Sequence, residues 1–137
     1  MLLELRNYLS EERGYMVSNF PVEIYGIRFG IGFENHEGEN VFVRVIPELF
    51  FLEDVNPAVR AIKFAIIEMN ILVKKSENKH HFCIALEDNE INRHIVMQYK
   101  NDVEPNVEVY FVGAAGVTEF NELLVKDCDY EDGFQQI

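Results

Sequence analysis

YGIRFGIGF, residues 25–33, carries three glycines within seven positions. Whether it cradles a phosphate or runs as a strand decides the fold. A phosphate loop ends a strand and opens a helix, as G-x-x-x-x-G-K-[ST] does. Here Tyr25, Ile27, Phe29, Ile31 and Phe33 alternate with Gly26, Arg28, Gly30 and Gly32. Strict period-two alternation over nine residues is a strand signal. No helix follows: ENHEGEN (34–40) is turn-like and VFVRVI (41–46) reads as another strand. The pattern predicts strands over 23–33 and 41–46, paired as a hairpin. Its glycines then mark a strand face stripped of side chains. Such a face either receives a closely packed helix of the same chain, or a bulge, or it receives a partner's backbone. Arg28 and Arg44 fall on the same side in this register. They either bind an anion or pair with surface carboxylates. Gly26, Arg28, Gly30, Gly32 and Arg44 are the candidate partner-binding set.

Working outward, ELFFLED (48–54) suggests a short third strand, and VNPAVRAIKFAIIEMNILVKK (55–75) a long helix. Asn56 is a candidate N-cap, Pro57 suits the first helical position, and Lys74 and Lys75 suit the C-terminal dipole. On a wheel of about 100° per residue, Arg60, Lys63, Asn70 and Lys74 occupy one narrow sector, which also contains Ile67. One flank carries Ala61, Phe64, Ile71 and Leu72. Another carries Val59, Ile62, Ile66, Met69 and Val73. A surface helix normally has one apolar stripe, so this helix is expected to be covered on two sides. The second cover is either another helix of the chain or a second copy. Ile62, Ile66, Met69 and Val73 are the candidate dimer interface. Glu68 interrupts the apolar arc and either finds a buried partner or reaches solvent from the helix edge.

Toward the N-terminus, Leu2, Leu3, Leu5 and Leu9 recur with Tyr8 at helical spacing up to Gly14, a plausible stop. Toward the C-terminus, FCIAL (82–86) is a strand and EDNEIN (87–92) a turn. RHIVMQYK (93–100) reads as a returning strand, with a helix as the competing assignment. VEVYFVG (107–113) is a strong strand, and VTEFNELLVKDCDYEDGF (117–134) looks helical, with Thr118 as candidate cap. The expected fold is a single α+β domain over 1–137: helix, antiparallel β-meander, long apolar helix, further antiparallel strands, C-terminal helix.

Bulk composition narrows the function. Hydrophobic residues form 48% of 137 positions, enough for a globular core without disulfides. Twelve Lys and Arg face 24 Asp and Glu, a net charge of -12. A chain so acidic repels phosphate backbones, so no nucleic-acid partner is expected. Its partner is expected to be another polypeptide, an extended or basic segment. Cys83 sits in an apolar run and Cys128 among acids, with no C-x-x-C pair. MLLELRNYL has Glu4 and no basic n-region, unlike a signal peptide, and no apolar stretch is long enough to span a bilayer. These features suit a reduced, cytoplasmic protein with no membrane partner.

No catalytic residue, metal ligand set or cofactor motif is visible. His80 and His81 are adjacent, so on a strand they point to opposite faces. There is no H-E-x-x-H, no Cys/His cluster and no G-x-S-x-G elbow. One enzyme class fits the element order, the nuclease-like α/β folds. Their site needs an acid and, on the next strand, acid-x-lysine to hold a divalent ion. NVFVRVI offers Val43 and Val45 there, so on that fold the site is lost.

LRNYLSEERGYMV resembles the opening helix and first strand of the type III secretion chaperone-like superfamily, which includes sensory-transduction-regulator relatives. YGIRFGIGFENHEGENVFVRVI resembles its glycine-punctuated hairpin. AVRAIKFAIIEMN resembles its central helix, including Asn70, and FNELLVKDCDYEDGF its last helix. VEVYFVGAAG departs from it as an extra strand. The resemblance implies a non-catalytic, chaperone-like, protein-binding homodimer that holds an extended client against its sheet. The nuclease-like fold, as an enzyme or its inactive descendant, is the alternative. Strand order around the 57–73 helix separates the two: antiparallel meanders suit the first, a parallel crossover the second.

Overall fold

A computed structural model describes residues 2–17, 22–29, 31–46, 56–77 and 79–124. The chain is α+β. Helix α1 (Leu2–Glu11) precedes β1 (Met16–Val17), β2 (Val22–Ile24), β3 (Ile27–Phe29), β4 (Ile31–Glu34) and β5 (Asn40–Val45). Helix α2 (Asn56–Lys75), β6 (His81–Glu87), α3 (Glu90–Gln98), a 3-10 turn (Lys100–Asp102), β7 (Val107–Gly113) and β8 (Gly116–Glu119) follow. The helical segment 120–124 comes last among the described residues.

The strand expected over 23–33 is three strands. Tyr25 (φ 52°) and Gly26 (φ 77°) both lie in the left-handed region, which closes β2 and β3 into a two-residue hairpin. β4 then joins the six-stranded sheet, ordered β1-β4-β5-β6-β7-β8. Phe29 packs on one side of that sheet, while Ile31 and Phe33 pack on the other. An unbroken strand would have kept all three on one side, so the alternation in sequence conceals a change of face.

The β4–β5 hairpin is as expected, antiparallel with Phe33 opposite Val41. Its turn is held by the Asn35 side chain, whose Oδ1 accepts from the Glu37 and Glu39 amides. The expected third strand over 48–54 lies outside the described residues. After α2 the pairing departs from the expected antiparallel strands. β6 pairs parallel with β5 and β7 pairs parallel with β6. The reason is local: RHIVMQYK is not a strand, because Asn89 caps α3 by accepting from the Asn92 amide at 2.8 Å. Two helical crossovers, α2 and α3, thus return the chain in the same direction each time. Among the described strands after α2, β7–β8 is the pair that turns back antiparallel. β8 runs through Glu119, so Thr118 lies in a strand and does not cap the last helix.

The sheet is buried on both sides. Phe82, Ile84 and Leu86 of β6 meet α2 and α3, while Cys83 and Ala85 meet α1. β5 and β7 alternate in the same way, with Phe42 stacked on Phe82 at 5.4 Å. Gly14 ends α1 as anticipated: its φ is 68°, and the Tyr15 amide reaches back to the Leu9 carbonyl at 2.9 Å.

Candidate functional site

Helix α2 shows a dry side and a wet side of unusual composition. Ile62, Ala65, Ile66, Met69, Leu72 and Val73 are buried against the sheet. This corrects the expected dimer interface: Ile62, Ile66, Met69 and Val73 already lie in the chain's own core. The physical reason is the parallel crossover, which lays that flank of α2 along β6 and β7. The helix is nevertheless apolar on two sides, as its wheel implied. Phe64 is 69% exposed, Ile67 47% and Ile71 57%. At spacings of three and four residues they form one ridge about 10 Å long. The other exposed residues of α2 are Asn56, Arg60, Lys63, Lys74 and Lys75.

A groove runs along each side of this ridge. One, of about 530 Å³, lies toward β5 and is lined by Val45, Ile46, Ala61, Phe64 and Ala65, with Arg44, Arg60 and Glu68 at its rim. The other, also about 530 Å³, lies toward the 3-10 turn and is more polar, with Lys63, Ile67, Asn70, Lys74, Tyr99 and Glu104 among its lining. Two of the three groove carboxylates are engaged, and the third, Asp102, lines the polar groove. Glu68 takes a 2.8 Å hydrogen bond from Arg44, and Glu104 lies 3.0 Å from Lys74. Asn70 braces the polar groove, donating to the Asp102 carbonyl and accepting from the Glu104 amide. Tyr25, at the β2–β3 turn, donates to the Lys75 carbonyl at 3.1 Å, and the Lys75 ammonium lies 4.7 Å from its ring.

The candidate partner-binding set is scattered. Gly26 is a turn residue with open space where a side chain would be. Gly32 is buried in β4 opposite Phe42, and Gly30 lies outside the described residues. Arg44 is held by Glu68 and sits 4.5 Å over the Phe29 ring. Because Phe29 points into the core, its neighbour Arg28 points away, into solvent. The two arginines therefore do not share a face. Arg44 takes the carboxylate pairing, and Glu68 is a half-buried, partnered acid.

A second polar cluster, not foreseen from the sequence, joins α1 to β7 and β8. Glu119 accepts from the Tyr8 hydroxyl at 2.9 Å and from Arg13 Nε at 3.1 Å. Arg13 also lies 3.7 Å from Glu108, which accepts from the Tyr110 hydroxyl. Burial, reinforced by Glu119, pushes the Tyr8 phenol up to about 12. Burial also raises Tyr110 and the Cys83 thiol, while the Glu119 hydrogen bond raises Arg13. A buried neutral thiol is unreactive, so this cluster is a clamp with no poised nucleophile.

Among the described residues no group of three or more His, Cys, Asp or Glu is arranged to hold a metal ion, and no helix is long and apolar enough to cross a membrane. No family model matches the chain, and no curated protein matches it. Two solved structures are similar. One is an XisH family protein from Nostoc punctiforme PCC 73102, with a TM-score of 0.49 and 14% identity over 85% of this chain and 94% of that one. The other is an fdxN element excision controlling factor protein from Anabaena variabilis, with a TM-score of 0.49 and 15% identity over 81% and 89%.

Proposed function

We propose that this protein is a non-catalytic module that binds another polypeptide on the exposed face of α2. One observation carries the reading: the Phe64–Ile67–Ile71 ridge, three large apolar side chains left in water between two grooves. An apolar patch rimmed by polar residues is characteristic of a docking surface. The sheet face suggested by the secretion-chaperone resemblance is less suited to this role. α1 covers one side of the sheet, and α2 and α3 cover the other.

The parallel α2 crossover is the connection that favours the nuclease-like alternative over an antiparallel meander. On such a scaffold β5 would supply the acid and the lysine. It carries Val43, which is buried, and Val45, with Phe42 and Arg44 between and beside them. We therefore read the scaffold as that of an inactive descendant, whose role is binding. A photoreactive residue placed at 67, with an equivalent at exposed Leu3 as control, tests the proposal in cells of the source. A polypeptide adduct from position 67 that disappears in Phe64→Ser supports it. Divalent-ion-dependent cleavage of phosphodiester substrates by the purified protein would sink it.

A further inference from the structure

From the charge of the α2 face we infer that the polypeptide it takes is an acidic amphipathic helix. This rests on the polypeptide-binding reading and deepens it. The chain as a whole is strongly acidic, at -12, which on bulk charge alone favours a basic partner. The outer side of α2 itself has the opposite sign, with Asp102 and Glu104 standing across the polar groove from it. Its exposed residues comprise four cations, three large apolar side chains and one asparagine, with no acid. One third of the twelve Lys and Arg of the chain lie on this one helix. The single acid of α2, Glu68, is turned to Arg44.

The cations differ in their availability. Lys74 is paired with Glu104, and Lys75 is laid against Tyr25. Arg60 and Lys63 are exposed and have no carboxylate within ion-pair distance among the described residues. Both precede Phe64, Arg60 by one turn at the apolar groove and Lys63 by one residue at the polar groove. A ligand that covers Phe64 must therefore bring its own carboxylates to Arg60 and Lys63, or leave two cations facing an apolar surface. A helix with apolar residues at i, i+3 and i+7 and Asp or Glu beside them meets both demands. Its apolar row seats along the ridge and in the groove lined by Val45, Ala61 and Ala65, and its acids reach the two free cations.

Other occupants fit less well. A second copy placed face to face would oppose the same cations across the twofold axis. An anionic membrane meets only a three-residue ridge on a helix whose opposite side is fixed in the core, and meets the repulsion of the remaining chain. Duplex DNA meets that repulsion too and gains nothing from the apolar ridge.

The test uses the full chain and three labelled synthetic peptides. Each carries the same i, i+3, i+7 leucine row, and their remaining positions are Glu-rich, Lys-rich or Gln-rich. Fluorescence anisotropy at low and high salt reads binding. We expect the Glu-rich peptide to bind about fivefold or more tightly than the Gln-rich one, since each exposed ion pair contributes modestly. Salt should erase that margin, and Arg60→Glu with Lys63→Glu should invert the preference. Equal binding of all three peptides, lost in Phe64→Ser, overturns the acidic partner but keeps the polypeptide-binding reading. No peptide binding together with capture by anionic vesicles or duplex DNA overturns both. A dimer in light scattering that Phe64→Ser dissolves assigns the face to a second copy and likewise removes the acidic helix.

Discussion

The α1 side of the sheet and the α2 side each bury an apolar layer, the larger on the α2 side, but finish differently at their rims. Leu5 and Leu9 of α1 are fully buried, and the helix is tied down by Arg13, Tyr8, Glu119 and Glu108. Those four polar side chains are joined to one another. α2 is buried as deeply through Ile62, Ile66 and Met69, yet its outer side carries exposed Phe64, Ile67 and Ile71 beside Arg60 and Lys63. The first arrangement spends its polar groups on holding a helix. The second leaves apolar side chains exposed and, among the described residues, two cations without a carboxylate within ion-pair distance.

The comparison breaks most easily in the core, where both sides should behave alike. Leu9→Ala and Ile66→Ala are each expected to lower unfolding free energy by about 2–5 kcal/mol in denaturant titrations. A loss below about 1 kcal/mol for Ile66→Ala would mean that this flank is not packed on its own sheet, and the dimer through Ile62, Ile66, Met69 and Val73 would return.

The α1 clamp comes next. Arg13→Ala leaves Glu119 and Glu108 without their cation and should cost about 1–3 kcal/mol. Glu119→Gln in the same chain should recover part of that loss, because the two sites share one network. Strict additivity of the two substitutions would show that the clamp is a chance grouping of surface side chains and not a network.

Alkaline pH tests the same clamp without mutation. The Tyr8 phenol is raised from its ordinary value near 10 to about 12, and Tyr110 is raised as well. A group whose folded pKa is raised favours folding below the unfolded value and loses that contribution as pH climbs to the folded one. Stability should therefore hold up to pH 10 and decline from about 10 to 12. Tyrosinate absorbance should show a late-ionising fraction from Tyr8 and Tyr110. Ionisation of all six tyrosines together near pH 10 would contradict the clamp.

The smallest effect belongs to the ridge. Phe64→Ser and Ile67→Ser should each change stability by no more than about 0.5 kcal/mol, while removing whatever binding the surface supports. A large loss of stability on either substitution would place the ridge inside the fold and end its candidacy as a docking face.

Much of this was legible in the residues. Period-two alternation in VFVRVI and the turn chemistry of Asn35 and Gly38 dictated the β4–β5 hairpin, because short-range hydrogen bonds suffice to build it. The 20-residue helix α2, its two apolar flanks and the stray Ile67 in the polar sector were also plain. So was the signal for a parallel sheet, although it reads as a mere strand in isolation. FCIAL is apolar at every position because its strand is buried on both faces, and such runs belong to the centre of parallel sheets.

Other features depended on tertiary structure. Hydrophobic period alone does not report a left-handed pair such as Tyr25–Gly26, so the break in the 23–33 strand and the change of face between Phe29 and Ile31 stayed hidden. A helical wheel shows that α2 has two apolar flanks but carries no information on which one the sheet will take. That choice followed from the direction of the β5–α2–β6 crossover, a contact between segments some forty residues apart. The Arg13–Glu119 pair, 106 residues apart, is likewise invisible to local pattern. The sequence by itself determined which segments are helix or strand wherever neighbouring residues decide it. Only the tertiary structure decided which apolar flank is core and which faces water, because burial is settled by distant segments competing for the same surface.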